Sequence, residues 1–97
     1  VPIDGDLRFG RGSNCDIILE GGNVSREHAE LRLTEEGVVL ADLGSRNGTL
    51  VNGWPIHEAL LRDGDEITVG SYTFLLRLPT PAGEEIAPEV LSTRHED

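Results

Sequence analysis

The chain has 97 residues, a length typical of one domain, and its content of 37% apolar and 27% charged residues is ordinary for a globular protein. Its net charge of −10 argues against the basic surfaces with which proteins bind nucleic acids or anionic membranes. Cys15 is the single cysteine, so a disulfide framework is excluded. We therefore expect a cytoplasmic protein with neither nucleic acid nor membrane as a partner.

The three histidines give no sign of a metal site. His28, His57 and His95 lie far apart in the sequence and lack the spacing of zinc ligands. We predict neither a metal ion nor a cofactor.

Short strands separated by Gly- and Asn-rich turns dominate residues 1–78. In the run from Ala29 to Leu33, apolar side chains alternate with charged ones, which is the pattern of a half-buried strand. Pairs such as Asn52-Gly53 supply the positive φ angles of tight turns. The sequence predicts an all-β fold, a β-sandwich of two antiparallel sheets, with strands at residues 16–19, 29–33, 38–42, 49–51, 66–69 and 72–78.

The composition changes after Leu78, where prolines and acidic residues become frequent and the alternating pattern stops. We expect one domain over residues 1–78 and an acidic, proline-containing tail or linker over residues 79–97. A short helical turn is expected around residues 88–91.

Four short motifs follow one another between residues 10 and 53. They are a Gly-Arg pair, a Ser-x-x-His segment, an Asn-Gly pair that precedes a threonine, and a second Asn-Gly pair. The four segments that contain them are Gly10-Arg11, Ser25-Arg26-Glu27-His28, Gly44-Ser45-Arg46-Asn47-Gly48-Thr49 and Val51-Asn52-Gly53.

In this order and spacing the motifs resemble those of the forkhead-associated (FHA) domain family. The likeness runs from about Leu7 to Leu78. It implies a β-sandwich with the ligand-binding loops at one end. It also implies a module that binds phosphothreonine-containing peptides in Ser/Thr kinase signalling, with a kinase or a kinase substrate as the partner protein.

The resemblance assigns the phosphate-binding roles to a serine and three arginines. Arg11 matches the arginine that contacts the phosphate, and Ser25 matches the serine whose hydroxyl bonds to it. Arg26 and Arg46 match flanking positions that contact phosphate or peptide.

The remaining roles implied by the resemblance concern the peptide and the support of the loops. Asn47 matches the asparagine that bonds the peptide backbone, and Asn23 lies where the third residue after the phosphothreonine is read. His28 matches a histidine that supports the loops from behind, and Gly10 and Gly48 are assigned the same supporting role.

The chemistry of the residues is consistent with an anionic ligand. A phosphothreonine carries about −1.5 to −2 charges near neutral pH and three acceptor oxygens. Guanidinium and hydroxyl groups are suitable donors for such a group. Arginines at Gly-rich turns of an acidic protein therefore favour this interpretation.

Three alternatives stay open at this point. Ser25, His28 and Asp42 could form a hydrolase set, although the Gly-x-Ser-x-Gly elbow is absent, so we expect no enzyme. Gly10-Arg11-Gly12 is too short for a nucleotide-binding fingerprint. The third alternative is an FHA-like structural module that binds its partner without phosphate.

The start of the chain departs from the family pattern. FHA domains usually begin with a strand well before the Gly-Arg pair, and that strand pairs with the last one. Only residues 1–3 could form a remnant of it here, which puts in doubt the sheet edge beside residues 72–78.

Overall fold

The computed structural model describes residues 5–78 and 89–95, which form ten strands and no helix. This part of the chain therefore contains no helical segment with the length and hydropathy of a membrane span.

The first sheet has five strands in the order β2-β1-β3-β4-β7. Strands β1 and β2 pair in parallel, and every other pair in this sheet is antiparallel. The strands are β1 (Leu7–Gly10), β2 (Ile17–Ile18), β3 (Ala29–Thr34), β4 (Gly37–Asp42) and β7 (Glu58–Leu60).

The second sheet also has five strands, in the order β10-β9-β8-β5-β6, and all its pairs are antiparallel. The predicted β-sandwich is thus confirmed, with one parallel pair that the sequence did not indicate. The strands are β5 (Thr49–Val51), β6 (Trp54–Ile56), β8 (Glu66–Val69), β9 (Tyr72–Arg77) and β10 (Glu89–His95).

The core lies between the two sheets and is built from the inward side chains of alternating strand positions. Leu31 and Leu40 are paired across β3 and β4, and both are completely buried. Phe9 of the first sheet meets Phe74 of the second edge to face, with ring centroids 5.1 Å apart. The contact between Phe9 and Phe74 joins the two sheets.

The strands that the sequence did not predict are short or lie at sheet edges. Strand β6 contains Pro55, which cannot donate a hydrogen bond to a neighbouring strand and so weakens the strand pattern. Trp54 lies in the same edge strand with 75% of its surface exposed.

Strand β10 occupies the sheet edge beside β9. Its Val90 side chain is 2% exposed and joins the core, whereas Leu91 is 36% exposed. The helical turn expected here is wrong for residues 89–91, because they pair with β9 as a strand. The strand lies within the segment that we expected to be a tail, and the division at residue 78 stays a prediction. Residues 1–3, the expected strand remnant, lie outside the described residues.

Four chain segments meet at one end of the sandwich. Backbone hydrogen bonds join Arg11 to Ser25, at 3.0 Å, and Leu43 to His28, at 2.9 Å. The β8–β9 turn at Gly70 packs against Val24, which lies in the loop between β2 and β3. The loops after β1, β2 and β4 and the turn after β8 therefore form one surface.

The packing of β10 can be tested by truncating its side chains one at a time. Val90→Ala is expected to lower the free energy of unfolding by about 1.5–2.5 kcal/mol, because it removes two buried carbon groups and leaves a cavity. Leu91→Ala, at the partly exposed neighbouring position, is the control and should cost less than about 1 kcal/mol. Urea unfolding measures both, and equal losses would contradict the placement of Val90 in the core.

Candidate functional site

Ser25, in the loop between β2 and β3, is the point at which the loops are joined. Its hydroxyl oxygen accepts a hydrogen bond from the N–H of Arg46 at 3.0 Å, and its carbonyl accepts one from the N–H of Arg11 at 3.0 Å. Its own N–H donates to Nδ1 of His28 at 3.0 Å. Since the hydroxyl oxygen acts as an acceptor here, its hydrogen can still be donated to a ligand.

Arg11 follows the end of β1 and reaches across the site. Its Nε donates to the carbonyl of Val24 at 2.8 Å, which fixes the direction of the side chain. The two terminal nitrogens of the guanidinium group form no hydrogen bond or ion pair within residues 5–78 and 89–91. Arg11 is therefore an oriented cation whose two terminal nitrogens are available to bind a ligand.

Gly10 is required by the close approach of two chain segments. A Cβ atom at this position would lie 2.2 Å from the carbonyl oxygen of Arg26 and 2.9 Å from Sγ of Cys15. The same carbonyl accepts hydrogen bonds from the N–H of Gly12 and the thiol of Cys15, at 3.0 and 3.1 Å. Burial raises the pKa of the Cys15 thiol, which keeps it protonated as the donor.

Arg26 and Arg46 are exposed, and neither forms an ion pair with an acid in the part of the chain that the structure describes. Arg8 and Arg32, outside the loops, behave differently because both bind Glu30, at 3.0 and 2.7 Å. The hydrogen bonds from these arginines hold the pKa of Glu30 below its usual value, and the bond from Arg32 has the larger effect. Arg8 and Arg32 are thus neutralised by acids on the sheet, whereas Arg26 and Arg46 keep their full charge beside Ser25.

Asn47 and Asn23 connect two of the loops. The side-chain Nδ2 of Asn47 donates to the carbonyl of Asn23 at 3.2 Å, which leaves the Asn47 Oδ1 as an acceptor. The Asn23 side chain packs against the backbone of Gly70, where an added Cβ would lie 3.0 Å from its Oδ1.

His28 is completely buried beneath the loops. Its Nδ1 accepts the hydrogen bond from Ser25, so the ring is neutral and its proton lies on Nε2. That Nε2 is 2.8 Å from the carbonyl oxygen of Gly48, to which it donates. One side chain therefore fixes the distance between the Ser25 loop and the loop of Asn47 and Gly48.

Asp42, at the end of β4, organises the loop before β5. Its carboxylate accepts hydrogen bonds from the hydroxyls of Ser45 and Thr49 and from the N–H groups of Gly44 and Ser45. Burial favours the protonated carboxyl. The hydrogen bonds from Ser45 and Thr49 outweigh this effect and hold the pKa of Asp42 below its usual value.

Tyr72 secures the loop after β2 from the opposite sheet. Its hydroxyl donates to the carbonyl of Glu20 at 3.0 Å and accepts from the N–H of the same residue at 3.2 Å. The loop that carries Asn23 is therefore bonded at both its ends, by Tyr72 and by Arg11.

The structure brings the expected site residues into one connected group. Ser25 is bonded to Arg11 and Arg46 and is adjacent in sequence to Arg26, and Asn47 is bonded to Asn23. His28, Gly10 and Gly48 lie directly behind them. Among the described residues, no group of three or more potential ligands could hold a metal ion.

Sequence reasoning missed the supporting residues Asp42, Ser45, Thr49 and Tyr72. Asp42 carried a local signal, since an aspartate two residues before a glycine is typical of a turn in which its carboxylate bonds the backbone. Tyr72 carried none, because Glu20 lies 52 residues away in the sequence.

The contribution of Asp42 should depend on pH. Because its pKa is lower in the folded than in the unfolded chain, the carboxylate stabilises the fold at neutral pH. This stabilisation is lost as the pH falls below the unfolded value of about 4 and through the lower folded value.

Asp42→Asn is expected to lower the free energy of unfolding at pH 7 by about 1–3 kcal/mol, since an uncharged amide has one acceptor oxygen and cannot accept from both the two N–H groups and the two hydroxyls. It should also reduce the loss of stability between about pH 7 and about pH 3. Glu36→Gln, which removes an exposed charge, is the control for urea unfolding at both pH values. An unchanged pH dependence in Asp42→Asn would contradict this role.

Known proteins resemble this chain in sequence and in fold. The model of the FHA domain family matches residues 7–70. The glycogen accumulation regulator GarA of Mycobacterium tuberculosis is 40% identical over 76 residues, which are 78% of this chain and 47% of GarA. The chain thus spans about half the length of this curated relative.

Two solved structures show the same fold. One comes from an analysis of phosphothreonine-dependent FHA domain interactions, with a TM-score of 0.74, 38% identity, and 80% of this chain and 81% of that chain covered. The other is EmbR of Mycobacterium tuberculosis in complex with a low-affinity phosphopeptide, with a TM-score of 0.73, 36% identity, and 75% and 20% covered. The chain belongs to the FHA domain family.

Proposed function

We propose that the chain is a phosphothreonine-dependent peptide-binding module. The observation that carries the proposal is the set of three arginines, Arg11, Arg26 and Arg46, each one hydrogen bond or one peptide bond from Ser25. None of them has an acidic partner in the described ranges, although the chain has a net charge of −10. The three cations around Ser25 therefore form a suitable binding site for a negatively charged ligand.

The unused donors match what a phosphate needs. Arg11 offers its two terminal nitrogens in a fixed direction, and a guanidinium group binds phosphate oxygens through paired N–H groups. The Ser25 hydroxyl adds a donor whose oxygen is held by Arg46. Since these groups are already in position, little ordering of the loops has to accompany binding.

Asn47 is suited to hold the peptide rather than the phosphate. Its Nδ2 is bonded to Asn23, so its Oδ1 is left to accept an N–H from an extended peptide. Asn23 is neutral and packs on Gly70, so we expect no strong selection for an acidic residue three places after the phosphothreonine.

A catalytic function is not supported by the geometry of Ser25, His28 and Asp42. Both ring nitrogens of His28 bond backbone atoms, and Asp42 bonds Ser45 and Thr49. The imidazole therefore takes no proton from the Ser25 hydroxyl, as a general base would have to do. We propose a cytoplasmic binding module, not an enzyme, that recognises a Ser/Thr kinase or one of its substrates.

The competing hypothesis is a structural FHA module that binds its partner without phosphate. It leaves unexplained why three arginines without acidic partners in the described ranges meet around one hydroxyl, that of Ser25. A peptide compared in its phosphothreonine, phosphoserine and unphosphorylated forms by calorimetric titration separates the two hypotheses. We expect binding to require the phosphate and to favour threonine, whose extra methyl group is worth about 0.8 kcal/mol if it is buried.

Arg11→Ala should weaken binding of the phosphothreonine peptide about ten- to a hundredfold, because hydrogen bonds to charged groups are worth about 1.5–3 kcal/mol. Arg62→Ala removes an exposed arginine outside the loops and is the matched control, which should leave the affinity nearly unchanged. Equal affinity of Arg11→Ala and the unmodified chain, with the fold intact, would overturn the proposal.

A further inference from the structure

Asn47 is followed directly by Gly48, and the two residues of this pair can react with each other. The backbone nitrogen of the residue after an asparagine can attack the side-chain carbonyl carbon, because the new bond closes a five-membered ring. Glycine hinders this attack least, since it has no Cβ and leaves the backbone free to rotate. The chain contains the pair at Asn47-Gly48 and again at Asn52-Gly53.

The reaction is a deamidation that consumes water and releases ammonia. The N–H of Gly48 loses its proton, and its nitrogen forms a bond with Cγ of Asn47. The bond between Cγ and Nδ2 then breaks, and Nδ2 leaves as ammonia with one added proton. Water opens the resulting succinimide ring at either of its two carbonyl carbons, which gives aspartate or isoaspartate. Asn47 is exposed, so water can reach it.

The structure holds the attacking nitrogen of Gly48 in a hydrogen bond. Its N–H donates to Oγ of Ser45 at 2.9 Å. The Ser45 hydroxyl donates in turn to the carboxylate of Asp42, which makes its oxygen a stronger acceptor. Because the nitrogen has to lose its proton before the new bond is complete, a hydrogen bond that retains this proton slows the reaction.

The second pair is restrained in another way. The Oδ1 of Asn52 accepts a hydrogen bond from the N–H of Glu66 at 2.9 Å, and its Nδ2 donates to the carboxylate of Asp65 at 3.0 Å. These bonds hold the side-chain amide itself and do not involve Ser45. The deamidation rate at Asn52 is therefore an internal reference for the rate at Asn47.

We propose that Asn47 is a deamidation site whose rate is set by the Ser45 hydroxyl, and that the reaction switches peptide binding off. A carboxylate in place of the Asn47 amide has no donor for the carbonyl of Asn23, so the 3.2 Å bond between the two loops is lost. The effect on binding rests on the proposed function, whereas the effect of Ser45 on the rate does not.

The charge and the backbone of the product both act against a phosphopeptide. The new carboxylate is adjacent in sequence to Arg46, whose N–H is bonded to Ser25, and it repels a bound phosphate. Isoaspartate also lengthens the main chain by one carbon before Gly48, the residue whose carbonyl is bonded by His28.

Peptide mass spectrometry of the folded chain, kept at neutral pH, measures the deamidation rate at both asparagines. Ser45→Ala should raise the rate at Asn47 about three- to tenfold, as expected for the loss of one ordinary hydrogen bond, and leave the rate at Asn52 unchanged. Ser45→Thr keeps a hydroxyl and should restore the slow rate. Thr49→Val removes a different hydroxyl from Asp42 and is the control for a loosened loop.

The effect on binding is measured with one phosphothreonine peptide and four forms of the chain. These are the unmodified chain, the deamidated chain separated by ion exchange, Asn47→Asp and Asn47→Ala. The deamidated chain and Asn47→Asp should each bind at least about threefold more weakly than Asn47→Ala, because the carboxylate adds repulsion to the loss of the amide. This difference should shrink as salt is raised.

The outcomes separate the two proposals. Equal rates at Asn47 with and without the Ser45 hydroxyl, or an equal acceleration in Thr49→Val, would overturn the role of Ser45. If the unmodified and deamidated chains bind the phosphopeptide equally well, the switch is refuted and the proposed function stands. If no form binds the phosphopeptide, the proposed function and the switch both fail, and the rate at Asn47 still decides the role of Ser45.

Discussion

The position of the binding loops depends on one buried side chain, His28. Its two ring nitrogens bond the N–H of Ser25 and the carbonyl of Gly48, which belong to different loops. Complete burial excludes water that would otherwise compete for these bonds, so their loss would leave buried polar groups unsatisfied. The histidine thus sets the separation of the two loops that carry the hydroxyl of Ser25 and the amide of Asn47.

Further hydrogen bonds, made by Asp42 and Tyr72, hold the binding loops in place. Asp42 shapes the loop of Ser45 to Gly48 from within the first sheet, and Tyr72 holds the loop after β2 from the second. The core contact between Phe9 and Phe74 fixes the two sheets on which these supports stand. Arginines can remain uncompensated at the surface because the framework that positions them does not require their charge.

The period-two patterns and the turn residues were enough to predict the sandwich, and the ordered motifs located the residues around Ser25. The features that could not be predicted from the sequence depend on contacts between residues that are far apart in the chain. Strand β10 is a strand because Val90 fits into the core beside β9, and its local composition suggested a tail.

A neutral His28 with its proton on Nε2 organises the site before the ligand binds. Nitrogen-15 NMR of the imidazole measures the protonation and tautomeric state of His28 directly. It is recorded for the free protein and again with a saturating phosphothreonine peptide. The Nε2–H form should dominate in both states, with a slowly exchanging ring proton bonded to Gly48. An imidazolium, a proton on Nδ1, or a form that changes when the peptide binds would contradict the account.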